Sequence, residues 1–174
     1  QQYPGAYTKI LYATASAGFT MASEGLTCSL PRTLATSKPS GNFLEIGTGT
    51  GLSTSWILDG MDNNSLLISI DNEEKFLKIA REYLNNDNRL TLICMDGAEW
   101  FELHKQQKFD FIFADSWHGK YLLLDDALNM LNQGGFYILD DMSPQPTWPE
   151  GHAEKAIHLL QYLEAREELT VPTH

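Results

Sequence analysis

Phe43-Leu44-Glu45-Ile46-Gly47-Thr48-Gly49-Thr50-Gly51-Leu52-Ser53 is an apolar run that ends in an acid and passes into three alternating glycines. An apolar run of this length reads as a buried strand, and glycine at every second position lets the backbone turn tightly and approach a ligand closely. A helix is expected to follow from Leu52 to Asp59. About 20 residues past the last glycine, Ser65-Leu66-Leu67-Ile68-Ser69-Ile70-Asp71 repeats the pattern, a second apolar strand ending in a carboxylate where a nucleotide-type ligand would present ribose hydroxyls.

Outward from this pair the alternation continues. Phe76, Ile79, Ala80, Tyr83 and Leu84 fall on one helical face, which Asn85-Asn86-Asp87-Asn88 ends. Strands are expected at Leu90 to Met95, Phe109 to Ala114 and Phe136 to Asp140, with helices from Glu99, around Tyr121 to Leu131, and from Ala153 to Glu164. A last short strand is expected at Leu169 to Pro172, after an irregular loop marked by Pro144, Pro146 and Pro149. Ahead of the first strand, Pro4 to Thr14 and Gly25 to Ser37 read as modest helices, broken by Lys38-Pro39-Ser40-Gly41-Asn42. The expected fold is therefore α/β, a Rossmann-like, doubly wound and mostly parallel sheet with helices on both faces. Residues 1–41 form a small helical N-terminal cap, and residues 42–174 the core, within one domain. Ligands of such sheets bind at the carboxyl ends of the strands. Glu45, Asp71, Asp96, Asp115 and Asp140 all fall there.

The 174 residues carry a formal net charge of −11, with a pI near 4.7. Such a charge repels a phosphate backbone, so nucleic acid is disfavoured as a partner, whereas a cationic ligand or a divalent metal meets a favourable field. Cys28 and Cys94 are the only cysteines and support neither a disulfide framework nor a zinc cluster, which makes the cytoplasm the simplest compartment. No apolar run reaches membrane-spanning length.

The glycine spacing narrows the ligand. A dinucleotide fingerprint requires a third glycine at position 52, which is Leu52, so an NAD-linked oxidoreductase is disfavoured. Glu45 through Gly51 instead resembles the first motif of class I S-adenosylmethionine-dependent methyltransferases. That resemblance implies that Glu45, Gly47, Thr48, Gly49, Gly51 and Ser53 lie against the methionine side of the cofactor and Asp71 against its ribose. Cys94-Met95-Asp96-Gly97-Ala98-Glu99 resembles the segment that contacts adenine, which implies Asp96, Gly97 and Ala98 there; Asp96 is equally suited to cap the helix that follows. Met21-Ala22-Ser23-Glu24-Gly25 resembles the segment that closes over the methionine end.

Phe109 through Tyr121 is similar, more specifically, to the catechol and caffeoyl-coenzyme A O-methyltransferases, in which a strand ends in a metal-binding aspartate, here Asp115, followed by Trp117 and Tyr121. The next strand of that family follows a Gly-Gly turn and ends in Asp-Asn; here Gly134-Gly135 leads to Asp140-Asp141. The resemblance implies Asp115, Asp140 and Asp141 as ligands of magnesium or another divalent cation, which would chelate two substrate oxygens and lower a hydroxyl pKa. Asp141 in place of Asn is a departure, and the pair also suits a metal-free turn. The general base of the catechol enzyme is a lysine three residues after its first aspartate; His118 stands there, with Lys120 as a competing base and an ordinary loop role as the alternative. Trp117 is placed along the adenine by the resemblance or beneath the loop by packing alone, and Trp148 against the substrate or on the surface. The family ends in a further antiparallel strand that nothing after His174 supplies, so the chain is expected to lack it.

Together these expectations describe an S-adenosylmethionine-dependent O-methyltransferase with a small-molecule acceptor, catechol-like in type. Dimers are common in the family, so a homodimer is implied by resemblance, without a self-complementary surface legible in the sequence. An RNA-base methyltransferase of the same superfamily and a non-catalytic cofactor-binding protein are the alternatives.

Overall fold

A computed structural model describes residues 3–18, 25–142 and 148–172. In chain order the elements are α1 (Tyr7–Ser16), α2 (Gly25–Thr36), β1 (Asn42–Ile46), α3 (Leu52–Gly60), β2 (Leu66–Asp71) and α4 (Glu74–Leu84). Then follow β3 (Leu90–Cys94), α5 (Gly97–His104), β4 (Phe109–Ala114), α6 (Leu124–Asn129), β5 (Leu131–Leu139) and α7 (His152–Glu164). The five strands form one sheet in the order β3-β2-β1-β4-β5, and every pairing is parallel.

Successive residues of a strand face opposite sides, and both sides of this sheet are covered. Phe43, Leu67, Phe111 and Phe113 pack on one face with Trp56 and Ile57 of α3 and with Tyr7, Ile10, Cys28 and Ala35 of α1 and α2. Leu44, Ile46, Ile70, Ile112 and Ala114 pack on the other with Trp100 and Phe101 of α5 and Ala127 of α6. The expected N-terminal helices therefore share the core of the first face.

The chain leaves β1 toward β2 on one side and has β4 on the other. That reversal of strand order opens a crevice at the carboxyl ends of β1 and β4, which is where ligands bind in sheets of this type.

Two expected elements differ. The helix expected around Tyr121 to Leu131 is only α6, Leu124–Asn129, because Trp117 to Leu122 forms a clasp: the Trp117 carbonyl accepts from the N–H groups of Tyr121 (2.9 Å) and Leu122 (2.8 Å), and Leu123 takes a positive φ of 57°. Leu131 instead joins β5. No strand forms at Leu169 to Pro172. The Leu169 N–H is bonded to the Arg166 carbonyl at 3.1 Å, Pro172 has no N–H to give a ladder, and Leu169 and Val171 pack on Leu128, Leu159 and Leu163. Met21 to Glu24, Pro144 and Pro146 lie outside the described residues.

Candidate active site

The turn after β1 is built around three glycines in left-handed or related conformations, with φ of 105° at Gly47, 53° at Gly49 and 94° at Gly51. L-residues with a Cβ rarely adopt such angles. Space excludes a side chain as firmly: a Cβ on Gly47 would lie 2.6 Å from the Asp115 carbonyl oxygen, and one on Gly51 would lie 2.9 Å from Leu84. The turn is tied to β2 by Gly47 N–H and Thr48 N–H, both donating to the Ile70 carbonyl at 2.9 and 3.2 Å.

Glu45 sits beneath the turn, not in the crevice. It is 0% exposed. Ser53 Oγ donates to its Oε1 at 2.6 Å, while Thr54 Oγ1 at 2.6 Å and Ser69 Oγ at 2.5 Å donate to its Oε2. Burial pushes its pKa up to about 7, against the downward pull of those hydroxyl bonds. Thr48 and Ser53 are buried in the same network, with Thr48 Oγ1 and Ser69 Oγ 2.6 Å apart. The side chains of Glu45, Thr48 and Ser53, residues expected on the methionine side of the cofactor, brace the turn from beneath. The physical reason is the strand period, which puts Glu45 on the same face as Phe43, against α3. Thr14 of α1 adds a tie from the cap, donating to Thr50 Oγ1 at 2.7 Å.

Asp71, at the end of β2, accepts from Gly49 N–H at 2.7 Å and from Glu73 N–H at 2.9 Å, so the second acid is locked to the turn that follows the first. Asp96 caps α5, its Oδ1 accepting from Ala98 N–H at 2.9 Å. The cap expected as one alternative is thus present, and it leaves Oδ2 free of the helix. His118 lies against this end of the site. Its Nε2 is 3.9 Å from Asp96 Oδ2, and its ring packs so closely on Gly97 that a Cβ there would lie 2.6 Å from His118 Cγ.

These residues enclose a cleft of about 250 Å³ whose walls include Gly47, Asp71, Asn72, Gly97, Trp117 and His118. A larger, open depression of about 640 Å³ lies near Pro4, Asn63, Tyr83 and Arg89, toward the amino ends of the strands and away from the acids at their carboxyl ends. The smaller cleft is the candidate site because the glycine turn and the strand-end acids converge on it.

Beside the cleft stands an aromatic wall. Trp117, 50% exposed, meets the rings of Tyr121 at 5.5 Å and His152 at 6.3 Å, and the Lys155 ammonium lies 5.0 Å from its centre. His152 meets Trp148 at 4.6 Å and Tyr121 at 5.4 Å. The sequence did not mark His152, which opens α7 four residues after Trp148. Met95 and Ser116, which lie inside the quoted segments, also line the cleft, as does Asn72, which no motif marks.

Asp115 and Asp140 emerge side by side from β4 and β5, Asp115 N–H bonded to Ile46 O at 2.9 Å and Asp140 N–H to Ala114 O at 3.3 Å. They do not assemble with Asp141 into the expected ligand set. Among the described residues no group of three or more His, Cys, Asp and Glu is arranged to hold a metal ion. Asp140 Oδ1 accepts the Asp141 N–H at 2.8 Å, Asp141 has a positive φ of 55°, and the buried Lys120 donates from Nζ to the Asp140 carbonyl. The residues present do not fit the divalent ion that the resemblance implied. No helix among the described residues is long and apolar enough to cross a membrane.

Comparison with known proteins agrees with this geometry. A family model described as a methyltransferase domain matches residues 44–142, more than half of the 174. A Mycobacterium leprae (strain TN) protein, named provisionally as an O-methyltransferase, is 30% identical over 76 residues, which are 41% of this chain and 34% of that protein. The match thus spans about a third of the relative's length. Among solved structures, an O-methyltransferase from Bacillus cereus in complex with SAH superposes with a TM-score of 0.82 at 19% identity, covering 95% of this chain and 81% of that one. The O-methyltransferase TomG from Streptomyces achromogenes, solved with SAM, gives 0.81 at 18% identity, covering 95% and 80%. At these identities the likeness is one of fold.

Proposed function

The chain belongs to the family of methyltransferase domains, and from that premise we propose that it is an S-adenosylmethionine-dependent O-methyltransferase acting on a small hydroxylated aromatic acceptor. The observation that carries the proposal is the cleft at the carboxyl ends of β1 and β4, walled by the glycine turn and Asp71 on one side and by Trp117 on the other. Bound S-adenosylmethionine supplies a methyl group on a sulfonium; the acceptor oxygen forms the new bond to that carbon while the carbon–sulfur pair leaves with sulfur.

The chain's own residues bind and orient. Gly47 and Gly49 bring backbone close to the methionine portion, and Asp71 has carboxylate lone pairs left for a ribose diol. Asp96 Oδ2, Gly97, Ala98 and His118 form the adenine end. His118 is read with this adenine end and away from the reacting oxygen, and the imidazole proposed to take the acceptor proton is His152, whose ring stands among Trp117, Tyr121 and Trp148. The same rings offer a flat surface to a planar acceptor. A net charge of −11 favours a cationic cofactor and disfavours RNA as the acceptor. A homodimer is the assembly the resemblance implies, and sedimentation equilibrium tests it.

The test of function is methyl transfer from isotopically labelled cofactor to a panel of phenols and catechols. His152→Ala is expected to lower kcat at unchanged S-adenosylhomocysteine affinity, and His118→Ala to weaken that affinity. Transfer to no phenolic acceptor by a chain that binds the cofactor product would refute the acceptor class, and equal effects of the two variants would refute the division of roles.

A further inference from the structure

We infer that the buried ammonium of Lys120, bonded to the Asp140 carbonyl at the ends of β4 and β5, is the resident cation there, so that the chain holds no divalent ion at that place and does not require two adjacent oxygens on its acceptor. The inference rests on the methyl-transfer reading above and deepens it.

Lysine is among the residues least often buried without a partner. Lys120 is 6% exposed and its Nζ donates to the Asp140 carbonyl oxygen. Asp140 itself is 8% exposed. Burial alone pulls the ammonium's pKa down, and the charges that oppose it are Asp141, Asp115 and Asp140, the same three carboxylates that the family resemblance offered to a metal.

The backbone holds the lysine there by several independent ties. Gly119 has a φ of +76°, and a Cβ on it would meet Ile46 at 2.7 Å and the Tyr137 hydroxyl at 2.9 Å. Tyr137 Oη donates to the Gly119 carbonyl, and Gly119 N–H donates to Leu122 O at 2.7 Å. The Trp117–Leu122 clasp therefore turns Lys120 inward regardless of any ligand. A magnesium-type ion keeps several waters and is held by one or two protein carboxylates, so each carboxylate and carbonyl at the site counts. Here Asp140 gives Oδ1 to the Asp141 N–H, and the neighbouring carbonyl is taken by an ammonium that would repel the incoming ion.

The consequence concerns substrate class. Chelation by a divalent ion selects acceptors with two neighbouring oxygens. With an ammonium in place of a divalent ion, no chelate selects for a second neighbouring oxygen. Singly hydroxylated aromatic acceptors are then as competent as vicinal diols, and chelators leave turnover intact.

The test is a titration of the full chain with manganese chloride followed by electron paramagnetic resonance, with S-adenosylhomocysteine calorimetry in parallel. Wild type is expected to show no saturable binding up to about 1 mM manganese, the weak end of protein sites for hard divalent ions. Lys120→Met is expected to bind manganese at least tenfold more tightly than wild type, and Lys120→Met with Asp140→Asn to lose that gain. Stoichiometric submillimolar binding by wild type that Asp115→Asn removes would overturn the inference, as would a folded Lys120→Met with unchanged manganese affinity. The wild-type titration decides the matter even where the variant fails to fold. Absence of S-adenosylhomocysteine binding would instead count against the methyl-transfer reading, so the two failures are distinguishable.

Discussion

Replacing Gly47 with alanine tests how the turn is made. The φ of 105° there costs an L-residue about 1–2 kcal/mol on conformation alone. The added Cβ would also stand 2.6 Å from the oxygen and 2.9 Å from the carbon of the Asp115 carbonyl group. Both atoms are backbone, so neither can rotate away; overpacking of this kind costs about 1–3 kcal/mol. Together the expected loss is about 2–5 kcal/mol, or a fall in Tm of roughly 5–15 °C for a chain of this size. Gly134 supplies the control. Its φ is +76° but nothing lies within 4 Å of its Cβ position, so Gly134→Ala carries only the conformational part. It should lower Tm by about 2–6 °C. Thermal unfolding followed by circular dichroism compares the two under one set of conditions. Because Gly47 and Ser116 line the cleft, Gly47→Ala should also weaken S-adenosylhomocysteine binding at least tenfold, about 1.4 kcal/mol, while Gly134→Ala leaves it unchanged. Equal melting of the two variants, with cofactor binding intact in both, would refute the argument that the turn is fixed by close approach to Asp115.

Further outcomes follow from the same geometry. Glu45 has its folded pKa raised to about 7 from an ordinary 4.5. Between those values the folded state holds the extra proton, so stability is fullest below about pH 4.5 and falls as pH rises toward 7, by on the order of 2–3 kcal/mol; urea unfolding of wild type and Glu45→Gln at pH 5 and at about pH 8 should show the wild-type decline and a flatter variant, beyond the decline other groups contribute. Asp96→Ala should cost about 1 kcal/mol as a lost helix cap and also weaken cofactor binding, whereas Asp96→Asn keeps the cap, a difference that urea melts with and without S-adenosylhomocysteine resolve. Trp117→Ala, at a half-exposed position, should change Tm by less than about 2 °C yet weaken binding of cofactor product or raise the acceptor KM several-fold.

The parallel sheet was legible because its strands are buried on both faces and so appear as near-continuous apolar runs, with the acids of Glu45, Asp71, Asp96, Asp115 and Asp140 marking one rim. The start of α6 was not, since Tyr121, Leu122 and Leu124 have the composition of a helix and only the left-handed Leu123 and the Trp117 clasp break it. Leu169 and Val171 alternate like a strand, but their burial comes from α6 and α7 rather than from a neighbouring strand. The site was legible where a motif fixes backbone, as at Gly47 to Gly51, and less so where side-chain direction decides the role. Glu45 belongs to the core network because it shares a face with Phe43, which the strand period could have indicated. His118 and Lys120 are two residues apart in a loop, and nothing local says that one turns to Gly97 and the other to Asp140.

The central claim is that Asp71 and the glycine turn form a site for S-adenosylmethionine. Calorimetric titration of the purified chain with S-adenosylhomocysteine tests it most directly. The account predicts one site with a Kd on the order of micromolar, weakened at least a hundredfold by Asp71→Ala in a variant that keeps its circular dichroism. A folded chain that takes up no S-adenosylhomocysteine, or an Asp71→Ala variant that binds it as wild type does, would contradict the account.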